Sequence, residues 1–349
     1  MDGRNHSPGL APVLLLAGLF GLGGIGGPAF WRPAEAQAQS QPDSATTTPP
    51  PLPSPSAAPL IPPRIGGYIQ ARTLLQKDFG FTALLNRARV GMQGPLPARF
   101  SYRVLVEFQA SAGARLPATV SLREAIIQWS PAPFTLTAGE FKTPFSREYL
   151  IPVPLVELAD LAVVVDSMAP KYDIGVMGEY ALGPLATFSL GVFNGEGANS
   201  IANRDSTLLL VSRVTARPIP QVRLGASFTR DGADSLRWGV DVLLQQSGAF
   251  VRAEYITRHV DGRAQDQDDS GWYFLEGFRV TPRIQLVARQ EDFQRPSRGA
   301  AARINAYAFG GNWEIAPNRI RLLLEYLSKR SGPAQTRANS YIAQMQVVF

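Results

Sequence analysis

The chain contains no cysteine, which excludes a disulfide framework, thiolate metal sites and cysteine nucleophiles. Histidine is almost as scarce, with only His6 and His259 present. His6 falls in a segment expected to be removed, so a Ser-His-Asp triad or a histidine-rich zinc site would rest on His259 alone. Of the 34 basic residues only four are lysine and 30 are arginine, against 28 acidic residues. Arginine is a permanently charged, planar, weakly hydrated fork suited to oxyanions. These arginines stand singly inside apolar segments rather than in clustered runs, which argues against nucleic acid as a partner. Beyond the N-terminal region no segment approaches the roughly 20 apolar residues of a transmembrane helix. If the chain enters a membrane, it must do so as a closed barrel.

The N-terminus has the order of a secretory signal. Arg4 and His6 precede an uncharged stretch, Ser7 to Trp31, and small-residue sites follow at Ala34-Glu-Ala36 and Ala36-Gln-Ala38. We read residues 1–38 as a signal peptide. An uncleaved anchor is the alternative, but six glycines between Gly18 and Gly27 make a poor helix. Cleavage removes two acidic and two basic residues, so the net charge stays at +6. Residues 39–64, dense in proline, serine and threonine, are expected to form a flexible linker. Residues 65–349 are then the folded part.

From Gly66 to Phe349 alternating segments of about ten residues recur, the signature expected of tilted membrane strands. Sixteen are counted, the first near 66–75 and the last at 338–349. Joins after even-numbered segments are tight and often marked by proline, as at Ser130-Pro-Ala-Pro133 and Thr281-Pro282. Joins after odd-numbered segments are mostly longer and polar, with Asp231-Gly-Ala-Asp234 a short exception. Short turns on one rim and long loops on the other distinguish an outer-membrane barrel from a sandwich or propeller. The expected fold is therefore all-β: a 16-stranded antiparallel transmembrane β-barrel in the bacterial outer membrane, with outer-membrane lipid around it. The third external join, Ser146 to Ala169, is too apolar to stand free in water. It is expected to fold inward, with a rim lid or a subunit contact as the other readings.

Side-chain parity assigns faces. Strand thirteen sets Arg283, Gln285 and Arg289 opposite Ile284, Leu286 and Ala288. By the same rule Arg223 shares a face in strand nine with Ser227 and Thr229, and Arg237 in strand ten with Asp241 and Gln245. Arg103 goes with Glu107 in strand three, and Arg252 and Arg258 with Glu254 in strand eleven. Arg87 and Arg89 lie together in strand two, and Arg72 beside Gln70 in strand one. A charge facing lipid at mid-depth costs about 2–4 kcal/mol. So many arginines on the lipid face would exceed the net stability of any fold, so they point inward. A sixteen-strand barrel leaves a water-filled lumen, and arginine rings favour anions in pores. Each arginine has a second reading as the partner of an inward carboxylate, for which Glu107, Glu179, Asp241, Glu254, Glu291 and Glu325 are available. Strands four and twelve show no clean parity.

The last segment, Ala338 to Phe349, alternates apolar and polar residues and stops on an aromatic. Such an end resembles outer-membrane barrels, whose closing strand is read by the barrel assembly machinery, which implies that role for Phe349. Several motifs resemble the phosphate-selective porin family of Gram-negative outer membranes. Gly139-Glu-Phe-Lys-Thr-Pro-Phe-Ser-Arg-Glu148 looks like its G-x-F-K-x-P-F motif. Asp173-Ile-Gly-Val-Met-Gly178, Gly191-Val-Phe-Asn-Gly-Glu-Gly-Ala-Asn199, Gly271-Trp-Tyr-Phe, Leu286-Val-Ala-Arg289 and Gly310-Gly-Asn-Trp313 follow in order. The resemblance implies a homotrimer of barrels passing small anions, possible substrates being phosphate and polyphosphate, and no cofactor. It marks Lys142, and Arg147 after it, as anion contacts. The departures are a paucity of lysine and four acids in the long join, Glu148, Glu157, Asp160 and Asp166, which favour general anion preference over strict phosphate selectivity. Two other classes stay open: a barrel hydrolase using His259, and a plugged structural or adhesive barrel. The aspartates from Asp261 to Asp269 lack the spacing of a calcium loop, and no metal site is expected.

Overall fold

The computed structural model describes residues 61–77, 80–109, 119–204, 206–262, 266–295, 303–332 and 335–349. The predicted signal peptide and most of the predicted linker lie outside them. Sixteen strands run in chain order: β1 (Arg64–Gln76), β2 (Gly80–Leu96), β3 (Phe100–Gln109), β4 (Thr119–Trp129), β5 (Phe134–Lys142), β6 (Tyr172–Leu182), β7 (Ala186–Phe193) and β8 (Leu209–Ile219). β9 (Val222–Asp231), β10 (Ser235–Gln246), β11 (Ala249–Val260), β12 (Gln267–Thr281), β13 (Ile284–Gln294), β14 (Ile304–Ala316), β15 (Ile320–Ser331) and β16 (Thr336–Val348) complete the set. Each pairs antiparallel with its neighbours in sequence, and β1 pairs with β16, so the sheet is a closed barrel. Closure satisfies every backbone ladder and removes the open edges that hydrocarbon forbids. The seam includes the C-terminus: Gly67 and Phe349 exchange two backbone hydrogen bonds of 3.0 Å each.

The alternation read from sequence is the alternation of the wall. In β10, Trp238, Val240 and Leu244 are exposed on the outside, while Gly239 and Asp241 are buried on the other face. Cross-strand aromatic pairs stand on the exterior near both rims: Phe134 with Tyr180 (5.0 Å between ring centres) and Trp238 with Tyr255 (5.5 Å). Aromatic girdles of this kind mark the two lipid–water interfaces. The joins follow the expected asymmetry, from 247–248 and 282–283 on one rim to 143–171 and 194–208 on the other.

Two bulges explain where parity failed or needed care. The β3–β4 register slips between Leu105 and Val106, leaving Arg123 as an extra residue in β4. Arg123 and Glu124 therefore both reach inward partners, Glu107 and Arg103, and a bulge of this kind breaks the period of two. A second slip between Gln70 and Ala71 turns Asn86 of β2 toward Gln70 and Gln344. β12 was unreadable for another reason. Its inner residues Tyr273 and Leu275 are as apolar as its outer ones because the join 143–171 packs on them.

That join folds into two short helices, α1 (Arg147–Leu150) and α2 (Val163–Met168), with a 3-10 turn at Val153–Leu155 between them. α2 packs against β11, β12 and β13. Val164, Val165 and Met168 are fully buried in a cluster with Ile256, Tyr273, Leu275 and Val287. All four of these strand residues lie on the buried face of the wall, alternating with exposed neighbours such as Tyr255, Trp272 and Leu286.

Gly139, the glycine of the motif that leads into this join, has a φ of 124°. A Cβ there would run into the carbonyl of Ala125 on the neighbouring strand. Gly139→Ala should therefore destabilise the barrel by about 2–4 kcal/mol, from backbone strain plus overpacking. Gly183, also at positive φ but with open space around it, should cost only about 1–2 kcal/mol when changed to alanine. Urea unfolding of the refolded barrel, followed by tryptophan fluorescence, measures both. Equal losses would mean that strand crowding at Gly139 does not limit stability.

Candidate functional site

The inner wall is a net of guanidinium and carboxylate groups, most of them out of contact with solvent. Glu107 of β3 is its clearest node. It receives Arg89 of β2 at 3.2 Å, Arg87 at 3.6 Å, and Arg123 of β4 closer still. Arg89 also lies over the ring of Tyr68, 5.8 Å from its centre. Across the lumen Arg213 of β8 bonds Asp241 of β10 and the hydroxyl of Ser227 in β9.

A second group of these contacts ties the join 143–171 to the wall. Arg72 of β1 reaches Asp160 at 3.0 Å, the carbonyl of Ala159 at 2.7 Å and Gln344 of β16 at 2.9 Å. Arg252 of β11 bonds Glu157 at 2.7 Å, and Arg289 of β13 bonds the carbonyl of Asp160 at 2.9 Å. Both stand within 3.7 Å of Glu148, which also accepts the backbone N–H of Ala162 at 2.9 Å. Glu148 lies wholly buried in the join, and desolvation pushes its carboxyl above the usual range despite the two guanidiniums beside it. The wall carboxylates complete the grip: Glu325 accepts the N–H of Ala159, Glu291 that of Val163, and Glu254 that of Arg147.

Each candidate can now be located. Arg72, Arg87, Arg89, Arg103, Arg147, Arg237, Arg252, Arg258 and Arg289 all face the interior and all meet a carboxylate. Arg87 and Arg103 keep the most open surface, 33% and 39% of the side chain. Lys142 sends its ammonium to the carbonyls of Tyr149 and Ile151 and lies over the Tyr149 ring. Arg223, at the start of β9, is exposed on the face it shares with buried Ser227 and Thr229. Arg283 sits in the turn 282–283, at the rim rather than within β13. Of the reserve carboxylates, Glu107, Asp241 and Glu291 do pair with arginine. Glu179 instead accepts from Ser189, at 3.1 Å.

Sequence reading missed Arg123, Arg213, Arg217 and Arg321. The bulge concealed Arg123. Arg213, Thr215 and Arg217 share one parity in β8 and were legible from it, but Leu209 and Val211, buried on the same face, mask the polarity. Arg321 of β15 is buried at 6% exposure with its Nε and Nη2 lacking a protein partner.

At the loop rim His259 is held between Asp268 (2.7 Å to Nδ1) and Asp261 (3.0 Å to Nε2). His259, Asp261 and Asp266 bring ligand atoms within 4.8 Å of one another. The hydrolase reading depended on this imidazole, and both its nitrogens are engaged by carboxylates.

A closed sixteen-strand barrel, apolar toward lipid and charged toward its interior, is the architecture of an outer-membrane porin. Residues 74–219 match the family described as phosphate-selective porin O and P, a span that includes the Gly139 motif and the long join. The family resemblance carried by the sequence motifs is thus met by the family model. No curated protein matches the chain. Among solved structures, OmpT of Vibrio cholerae in its trimer form superposes with a TM-score of 0.63 at 13% identity, covering 82% of this chain and 99% of that one. The anion-selective porin of Comamonas acidovorans gives 0.62 at 8% identity, with the same coverages. The outer membrane channel DcaP of Acinetobacter baumannii gives 0.61 at 13%, covering 82% and 97%. The barrel fold is therefore that of outer-membrane channels, and the resemblance points to a channel rather than an enzyme.

Removing Glu107 leaves Arg89 and Arg123 buried without their counter-charge. Glu107→Gln should lower stability by about 3–5 kcal/mol, the usual consequence of breaking a buried ionic cluster from one side. Denaturant unfolding of the refolded protein reads this; a change below about 1 kcal/mol would show that the lumen there is hydrated enough to screen the cluster.

Proposed function

We propose that the barrel is a water-filled channel for passive diffusion of small anions across the outer membrane, with phosphate among its solutes. The observation that carries this reading is the excess of guanidinium over carboxylate on one side of the inner wall, along β2–β4 and β8–β9. Nine of the twelve candidate cations meet a carboxylate, yet several guanidiniums share one acceptor, as three do at Glu107 and two at Asp241. Arg223 and Arg283 have no carboxylate partner among the described residues. Along β2–β4 and β8–β9 the wall thus carries more guanidinium than carboxylate, with Arg87, Arg89, Arg103, Arg123, Arg213, Arg217 and Arg223 against Glu107, Glu124 and Asp231, and a low-dielectric wall concentrates that positive potential. The twelve candidates line this anion path in unequal roles. The paired ones set the field, and the exposed ones, Arg87, Arg103 and Arg223, meet the ion.

We further infer that the join 143–171 folds into the lumen and narrows it. Its ties to β1, β11, β13 and β15 support that reading, as does the burial of α2 against β11–β13. Three of its four acids then serve as anchors: Glu148, Glu157 and Asp160 face wall arginines, while Asp166 pairs with Lys171 inside the join. They subtract less from anion preference than their number implies. A homotrimer is proposed by likeness to the family and to the trimer form of OmpT. Recognition of the terminal Phe349 by the assembly machinery, and cleavage within residues 34–38, complete the reading.

In a planar bilayer under a potassium chloride gradient, the reversal potential should fall on the anion side. A cation-side potential would defeat anion preference, and absence of conductance would defeat the channel. Asp160→Ala releases the Arg72 anchor and should raise single-channel conductance or its noise. Traces indistinguishable from wild type would count against an inward loop held at that point.

A further inference from the structure

We propose that the short-turn rim of the lumen carries a discrete binding site for a multiply charged oxyanion, formed by Arg147, Arg217 and Arg223 with the hydroxyls of Thr187 and Thr215. The site rests on the channel reading and assigns it a place where the solute pauses. All five residues line one cavity of about 250 Å³. Four separate elements bring them there. Thr187 of β7 stands directly opposite Thr215 of β8 in the register. Arg217 follows two positions along the same face, and Arg223 enters on β9 after the tight join 220–221. Arg147 arrives from α1, the first turn of the long join.

The charge balance of the cavity is what points to an anion. Asp241 is the carboxylate that Arg147 meets, and it is shared with Arg213. The Nη2 of Arg147 is buried without an acceptor. Arg217 bonds the carbonyl of Pro220 at 3.3 Å, and Arg223 meets no acceptor among the described residues. Asp231 at the far end of β9 pairs with Arg237 at 3.5 Å, and Glu179 of the neighbouring β6 accepts from Ser189 at 3.1 Å; neither lines the cavity. Three guanidiniums therefore face a space whose lining holds no carboxylate, Asp241 being shared with Arg213 and Glu254 being reached by the backbone N–H of Arg147. Guanidinium forks with hydroxyl donors between them match the several oxygens of phosphate or a dicarboxylate better than a bare halide. Liquid water takes about 30 Å³ per molecule, so the cavity holds such an anion with part of its hydration. In bacterial barrels the short-turn rim faces the periplasm, so the site lies where an inbound anion would leave.

The refolded full-length mature chain is titrated in detergent with inorganic phosphate, followed by phosphorus-31 line broadening, and separately with succinate by equilibrium dialysis. Saturable binding of either is expected, with phosphate and succinate as the two chemical sources the arms tell apart. Arg223→Gln and Arg217→Gln should each weaken it at least about tenfold, as the loss of a charge-assisted hydrogen bond implies. Arg319→Gln, an exposed arginine on the same rim outside the cavity, should leave it unchanged. Arg223 has no partner whose loss would unfold the barrel, so this variant stays informative if Arg217→Gln does not fold. No saturable binding of either anion, or equal weakening by Arg319→Gln, would overturn the site. Chloride conductance of the same preparation reads the channel independently. A barrel that conducts without binding removes the site and keeps the channel; one that binds without conducting does the reverse.

Discussion

The interior of this barrel depends on the pairing of arginine with carboxylate along the inner wall and between the wall and the long join. Hydrocarbon outside forbids charge on one face of every strand, and the charge has therefore been gathered on the other. Once gathered, it is too dense to remain solvated. Arg72, Arg89, Arg213, Arg252 and Arg289 are each less than 10% exposed. Their desolvation is offset by contacts that few other side chains could make simultaneously. Arg72 holds a carboxylate and a carbonyl of the long join and an amide of β16. The planar fork with five donors permits this, while an ammonium on a flexible stem makes fewer and less directed bonds. The shortage of lysine and abundance of arginine noted in the sequence follow from the same geometry.

Buried ion pairs contribute little net stability but punish displacement heavily. In this chain that asymmetry falls on the join between β5 and β6. Its backbone N–H groups at Arg147, Ala159 and Val163 are received by wall carboxylates, and its own carboxylates by wall arginines. Apolar packing of α2 supplies the adhesion, and the polar contacts fix the position. A loop held both ways behaves as part of the wall.

The sheet was legible because a strand has a short period and lipid enforces it. Every one of the sixteen predicted segments overlaps an observed strand in the same order, with β8 starting later, at Leu209. Parity placed Arg72, Arg89, Arg103, Arg252 and Arg289 on the correct face for the same reason. What failed were places where the period is broken or both faces are alike. Bulges at Arg123 and Asn86 changed the phase, and the apolar seat for α2 erased the contrast in β12. Partners could not be read at all. That Glu107 gathers three arginines and Glu148 two depends on register and on the path of a long join, neither of which is a local property.

The join leans to one side of the wall, and if it folds inward as proposed, that lean decides where ions can pass. Besides its ties to β5 and β10, its contacts gather on β11 to β16 and on β1, where Ile256, Tyr273, Leu275 and Val287 form an apolar seat and Glu325, Gln346 and Arg72 form a polar one. On the side of β2, β3 and β7 to β9 the join presents Arg147 of α1. On that side Arg87 and Arg103 keep open surface, and Arg217 and Arg223 are exposed. The uncovered half of the lumen is thus the half where guanidinium outnumbers its acceptors. On the proposed inward course of the join, passage and positive potential would coincide, because the loop that closes one side takes up the carboxylates there and leaves the opposite wall to receive the anion.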